Sequence, residues 1–219
     1  MNELNGFHAL ITGGPSGFGF DMDVRSEESV DASAGWIRAN WMRLDMLVNN
    51  AGIGMGAANR GFPTAPIPFF QIRVKDFYDI VEMNFIGYFL VARAFAPIMI
   101  QNGGGRIVNV STGIKTMTAR GQLPYGPARA GAEAMSVIMT EELKDYNITV
   151  NVLLPGGPSD TGFVTDDVRG HFESMGLLPA SVMNEAISFL ASAKATGVTG
   201  ERIIAKDFQQ WLVSHQAKT

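Results

Sequence analysis

No cysteine occurs in the 219 residues, which excludes disulfides and thiolate metal ligands. Histidine is nearly as scarce. His8, His171 and His215 stand too far apart to suggest a zinc site, so no metal is expected. Charged residues make up only 17% of the chain, against a usual ~25%. A surface so poor in charge is expected to be covered in part by other subunits, as in a homodimer or homotetramer. The net charge is −4 and no basic block is present, which argues against nucleic acid as a partner. The opening stretch MNELNGFHAL has no cationic region leading an apolar run, so it does not read as a secretory signal, and the cytoplasm is the expected compartment. The most apolar window, 85–100, carries Arg93 and is short of the ~20 apolar residues that a bilayer span requires. It reads as a buried helix, with no membrane partner.

What is present is an alternation of short apolar runs with helical patterns over one domain, 1–219. Residues 7–12 (FHALIT) read as a buried strand that runs into the glycine cluster GGPSGFG. Within 26–44, Val30, Ala34, Ile37, Trp41 and Leu44 share one helical face behind Ser26 as N-cap. Further strands are expected at 46–48, 106–110, 148–154 and 202–205, and helices at 75–101, 124–146 and 180–192. Nearly all-apolar strands alternating with helices predict an α/β fold with a parallel sheet covered on both faces.

Three constellations carry chemistry. Thr12-Gly13-Gly14-Pro15-Ser16-Gly17-Phe18-Gly19 directly follows a strand, where glycines let a pyrophosphate approach main-chain N–H groups. Such a turn is as often purely structural. Tyr125 precedes Arg129 by one helical turn, so the cation can favour the phenolate and lower the tyrosine pKa. A pair with this spacing is more often a solvated helix face. Asn84 sits in an otherwise apolar helix, where an unpartnered amide costs ~1–3 kcal/mol. It is either a satisfied core amide or a residue that holds water or kinks the backbone.

The joint order of these features, with Asn49-Asn50-Ala51-Gly52, the strand-end pair Ser111-Thr112 and Pro155-Gly156, resembles the short-chain dehydrogenase/reductase family over nearly the whole chain. The resemblance implies a Rossmann-like, doubly wound parallel sheet and an oxidoreductase that moves hydride between NAD or NADP and a small alcohol or ketone. It implies that Gly13, Ser16, Gly17, Phe18 and Gly19 form the turn at the pyrophosphate. Asp23 and Val24 would lie near the adenine and Asn50, Ala51 and Gly52 beside the adenosine ribose, while Asn49 would hold the central strands. Pro155, Gly156 and Thr161 would line the nicotinamide amide. Tyr125 would be the general acid/base, with Thr112 (or its neighbour Ser111) as the assisting hydroxyl and Asn84 and Arg129 in a proton relay. Tyr125 and Arg129 would also touch the cofactor.

Two departures from the family pattern carry information. Arg129 stands where the family has lysine, and a guanidinium hardly ever releases a proton, so oxidoreduction is expected to be weakened and Arg129→Lys to raise it. From Gly19 to Asn49 there are only 30 positions, about half the family's usual distance. A crossover to a parallel neighbour needs a dozen or more residues, so Asp23 and Val24 are expected in a loop and the sheet is expected to have five strands, with the first left as an edge. The side chain that tells NAD from NADP is lost with the missing strand. Residues 162–178, with Phe163, Val164, Phe172, Met175, Leu177 and Leu178, suit an apolar lid or equally an ordinary packed helix pair. The alternative function is a catalytically impaired relative that assembles through its helices, or a module that binds another ligand in the same groove.

Overall fold

The computed structural model of the chain describes residues 4–13 and 21–216. Five parallel strands form one sheet: β1 (Ala9–Ile11), β2 (Met46–Asn49), β3 (Gly105–Val110), β4 (Ile148–Leu154) and β5 (Arg202–Ile204), in that spatial order. β1 lies at an edge, as expected, and pairs with β2 from Ala9 opposite Met46 to Ile11 opposite Val48. It is shorter than the apolar run suggests because the His8 N–H goes to the Asp45 carboxylate at 2.8 Å instead of joining the ladder. The strand order runs straight from one to five, without the reversal at which a doubly wound sheet opens its cleft.

Helices cover both faces. On one side pack α1 (Glu27–Asn40), α3 (Gly87–Gln101) and α5 (Tyr125–Leu143), meeting Leu47, Ile107, Ile148 and Val150 from the sheet. On the other side α7 (Asn184–Ala191) and α8 (Phe208–Gln216) meet Met46, Val48, Val108 and Leu153. Neighbouring strand residues thus feed opposite cores, which is why the strands read as continuous apolar runs. Ser26 caps α1, its side chain accepting from the Ser29 N–H at 3.2 Å. Asp23 and Val24 lie in the loop before it, as the short spacing demands.

The long helical stretch Val74–Gln101 is, by length and composition, apolar enough to cross a membrane, yet half of its most apolar window is buried. Val91, Phe95, Ile98 and Met99 belong to the core beside the sheet, so it is a core helix here. It consists of α2 (Val74–Val81), a π turn at Glu82–Ile86 and α3. Asn84 explains the π turn: its Nδ2 donates to the Ile80 carbonyl at 2.8 Å, taking the place of a backbone N–H. The remaining α-helices are α4 (Ile114–Thr118), which follows β3, and α6 (Asp166–Ser174), which follows β4.

Candidate active site

The residues singled out from sequence gather just beyond the C-terminal ends of the strands, where ligands bind open α/β sheets. Gly13 follows β1, Asn50, Ala51 and Gly52 follow β2, Ser111 and Thr112 follow β3, and Pro155 and Gly156 follow β4. Thr12 joins the first two groups, although its role was not legible from sequence. Its Oγ1 accepts from the N–H groups of Asn50 and Ala51 at 3.0 and 2.9 Å, and its carbonyl accepts from Asn50 Nδ2 at 3.1 Å. Gly13 adopts φ +75°, and a Cβ there would come 2.6 Å from the Ala51 Cα, so only glycine fits. Ser16, Gly17, Phe18 and Gly19 lie outside the described residues.

Behind this row, Asn49 Nδ2 donates to Asn109 Oδ1 at 2.8 Å, and Asn109 Nδ2 to Ser136 Oγ at 2.7 Å. This buried chain ties β2, β3 and α5 together, the role expected for Asn49. Asp23 makes two hydrogen bonds to the Arg25 guanidinium, at 3.0 and 2.9 Å. Those bonds hold its carboxyl below the usual carboxylate range. Val24 is buried beside Gly87.

Tyr125 opens α5, where Pro127 in the first turn forfeits no intrahelical donor. One turn later Arg129 is only 2% exposed, which rules out a solvated helix face for the cation. Its Nη1 donates to the Val110 carbonyl at 2.8 Å and to the Tyr88 hydroxyl, and Tyr88 Oη donates to the same carbonyl at 3.1 Å. The guanidinium carbon lies 5.3 Å from the centre of the Tyr88 ring and 5.4 Å from that of Tyr125. Burial alone would lower the Arg129 pKa, but the oxygens of Tyr88 and Tyr125 outweigh it and raise the value, so the group is a permanent cation. Tyr88 escaped the sequence reading. Its one signal is a phenol placed a helical turn after Asn84 in an apolar helix.

Gly52 stands against this group. A Cβ on it would collide with Arg129 Nη2 and come 2.8 Å from Asn84 Oδ1. Asn84 is fully buried, its Nδ2 also donating to the Ile53 carbonyl at 2.8 Å, while its Oδ1 has no partner. Ser111 Oγ is likewise buried and unpartnered. The Thr112 carbonyl accepts from Arg202 Nη2 at 2.8 Å, and Arg202 Nε donates to Glu133 on α5 at 2.9 Å.

Across the mouth, Phe163 packs edge-on to Tyr125 with ring centres 6.4 Å apart and would touch a Cβ on Gly54 at 2.9 Å. Within 162–178, Val164 and Val168 are buried, Phe163 and Met175 are exposed, and residues Asp166–Ser174 form α6. Thr161 lies just before this segment, its N–H donating to the Ser159 carbonyl at 2.8 Å. The Pro155 carbonyl accepts from the Lys206 N–H at 3.1 Å, and Gly156 follows with φ +97°.

Comparison with known proteins agrees with this geometry. The family model for short chain dehydrogenase matches residues 10–170. The 3-oxoacyl-(acyl-carrier-protein) reductase of Escherichia coli is 30% identical over 198 residues, which span 87% of this chain and 76% of that protein. A gluconate 5-dehydrogenase from Burkholderia cenocepacia, solved with NADP and tartrate, superposes with a TM-score of 0.71 at 25% identity, over 86% of this chain and 74% of that one. A 7α-hydroxysteroid dehydrogenase solved with NADH and 7-oxo glycochenodeoxycholic acid gives 0.70 at 26% identity, over 84% and 70%. With its strand-end residues, five-strand parallel sheet and matched span, the chain belongs to the short-chain dehydrogenase family of oxidoreductases.

Proposed function

We propose that the chain is an NAD- or NADP-dependent oxidoreductase that interconverts a small alcohol and its ketone or aldehyde, with Tyr125 as general acid/base. The observation that carries this reading is the buried Arg129 cation, 5.4 Å from the Tyr125 ring centre and beside the ends of β2 and β3. The donor set fits a nicotinamide group: Ser111 Oγ is buried without a partner, Tyr125 opens α5, and Pro155, Gly156 and Thr161 lie in the connection after β4. Gly13, Asp23, Val24, Asn50, Ala51 and Gly52 are the described residues that would hold the rest of the dinucleotide, completed by Ser16, Gly17, Phe18 and Gly19. The bound cofactor supplies hydride exchange with the substrate carbon.

This chain's own residues handle the oxygen and its proton. In reduction, Tyr125 Oη gives its proton to the substrate oxygen as the carbon is reduced; in oxidation it takes that proton back. The Arg129 guanidinium carbon, 5.4 Å from the Tyr125 ring centre, sets a fixed positive charge against that ring. Thr112 or Ser111 donates a hydrogen bond to the same oxygen and orients it. Phe163 stands edge-on to the Tyr125 ring at the mouth of the site. The test is a panel of alcohols and ketones with each nicotinamide cofactor. Tyr125→Phe is expected to abolish turnover while leaving cofactor affinity nearly intact, and loss of affinity alone moves Tyr125 from chemistry to positioning.

A second reading, an impaired relative that acts by assembly, is favoured by one observation: the Asp23 carboxylate is already paired with Arg25. Both readings include a homodimer or homotetramer. Phe77, Tyr78, Phe89, Val137 and Ile138 are exposed on α2, α3 and α5, and such apolar surface is usually covered by a partner.

A further inference from the structure

The Arg129 cation is buried with unusual companions. Among the described residues no carboxylate lies within ion-pair distance of it. The titratable groups that act on it are two phenols, Tyr125 on its own helix and Tyr88 on α3. The nearby Asn84 in the π turn is neutral. Desolvating an unpaired charge costs several kcal/mol, so the oxygens and ring faces around it must replace a counter-ion. Tyr88 contributes both. It is 1% exposed, accepts from Arg129 Nη1, donates to the Val110 carbonyl that Arg129 also uses, and presents its ring 5.3 Å from the guanidinium carbon. Arg129 Nε has no hydrogen-bond partner among the described residues.

We propose that Tyr88 is a positioning residue for the reaction. It closes a three-membered arrangement with Arg129 and the Val110 carbonyl that fixes the guanidinium beside Tyr125. A compact ammonium needs no such clamp, whereas a planar fork must be held at a defined angle to act on one side chain. Arginine at this site therefore works through Tyr88. The proposal rests on the reading of Tyr125 given above, and extends it to a residue that touches neither substrate nor cofactor.

The test pairs a spectroscopic signature with kinetics. In NMR of the 15N-labelled full chain, the Arg129 guanidinium protons are expected to be resolved and slow to exchange, and Tyr88→Phe is expected to broaden them and speed their exchange. The same substitution is expected to lower kcat about tenfold, roughly 1.4 kcal/mol, with cofactor affinity changed less than about twofold. In the Arg129→Lys background the effect on kcat is expected to shrink below about threefold, the non-additivity of a coupled pair. Unchanged guanidinium signals, an unchanged kcat, or an equal loss in both backgrounds overturns the proposal. If Tyr88→Phe does not fold, Tyr125→Phe protein grown on 3-fluorotyrosine keeps the Tyr88 hydroxyl and alters its acidity. The Arg129 signals then shift if the bond exists, and their staying in place overturns it. A wild-type chain that turns over no substrate sinks the oxidoreductase reading instead, while the guanidinium signals still report on the clamp.

Discussion

Arg129 Nη1 lies 2.8 Å from the carbonyl oxygen of Val110, tying a cation on α5 to the end of β3. The last carbonyl of that strand has no further neighbour in the ladder, and Tyr88 Oη donates to it as well. One backbone acceptor thus gathers the helix that carries Tyr125, the helix that carries Tyr88 and the strand that leads into Ser111 and Thr112. The charge position is set by the sheet and is not left to a flexible stem.

Arg129→Lys keeps the charge but gives up the fork. Folding stability is expected to fall by about 1–3 kcal/mol as a buried hydrogen bond is lost, read from urea denaturation. Turnover is expected to rise, because an ammonium can release and regain a proton where a guanidinium does not. An unchanged or lower turnover number counts against a relay at this position.

Gly52→Ala places a methyl group against Arg129 Nη2 and 2.8 Å from Asn84 Oδ1. The guanidinium must move away from Val110 or the loop after β2 must shift. Turnover is expected to drop at least about tenfold with a stability loss of about 1–3 kcal/mol, measured by steady-state kinetics and thermal unfolding. Wild-type behaviour would mean that the close approach of Gly52 to Arg129 is not maintained in solution.

Asn84→Ala removes the donor to both the Ile53 and Ile80 carbonyls. Two buried acceptors lose their partner, at about 1–3 kcal/mol each. The π turn loses its cause, so hydrogen exchange at Glu82–Ile86 is expected to change together with stability. A variant as stable as wild type refutes the assignment of the π turn to this side chain.

Alkaline stability reads the burial of Tyr88. Desolvation raises its pKa above the ordinary tyrosine value, against the pull of Arg129. A group whose folded pKa is raised stabilises the fold below its unfolded pKa, and that contribution is lost as pH rises past it. Above pH ~10 the wild-type unfolding free energy is expected to fall more steeply than that of Tyr88→Phe, by up to about 1.4 kcal/mol per pH unit. Parallel slopes contradict the buried, protonated phenol.

Much of the scaffold was legible because single residues announce it. Ser26 marks the start of α1, the run ITVNVLL coincides with β4, and the 30 positions between Gly19 and Asn49 leave room for only one crossover. That spacing correctly predicts β1 as an edge. The structure adds that β1 starts later than the apolar run, since the Asp45 side chain captures the His8 N–H across 37 positions. No local pattern reveals such a bond. Helix α8 was missed although Phe208, Trp211, Leu212 and His215 recur at helical spacing, with the Trp211 ring stacked on those of Phe208 and His215.

The site was legible as a set of strand ends and less so as a set of partners. Tyr125 and Arg129 one turn apart can be read from spacing, but Arg129 turning to Tyr88 and Val110 depends on α3 packing against α5. The same holds for Arg202, which reaches the Thr112 carbonyl from 90 positions away. Sequence order cannot show which of several buried groups a cation chooses, because that choice follows from packing.

The measurement that bears most directly on this account is a fluorescence titration of the full chain with NADH and NADPH. Saturable binding of at least one of them below the millimolar range is the predicted result, retained in Tyr125→Phe. Absence of binding by both at millimolar concentration would mean that the strand ends hold no dinucleotide, and the oxidoreductase reading would fall.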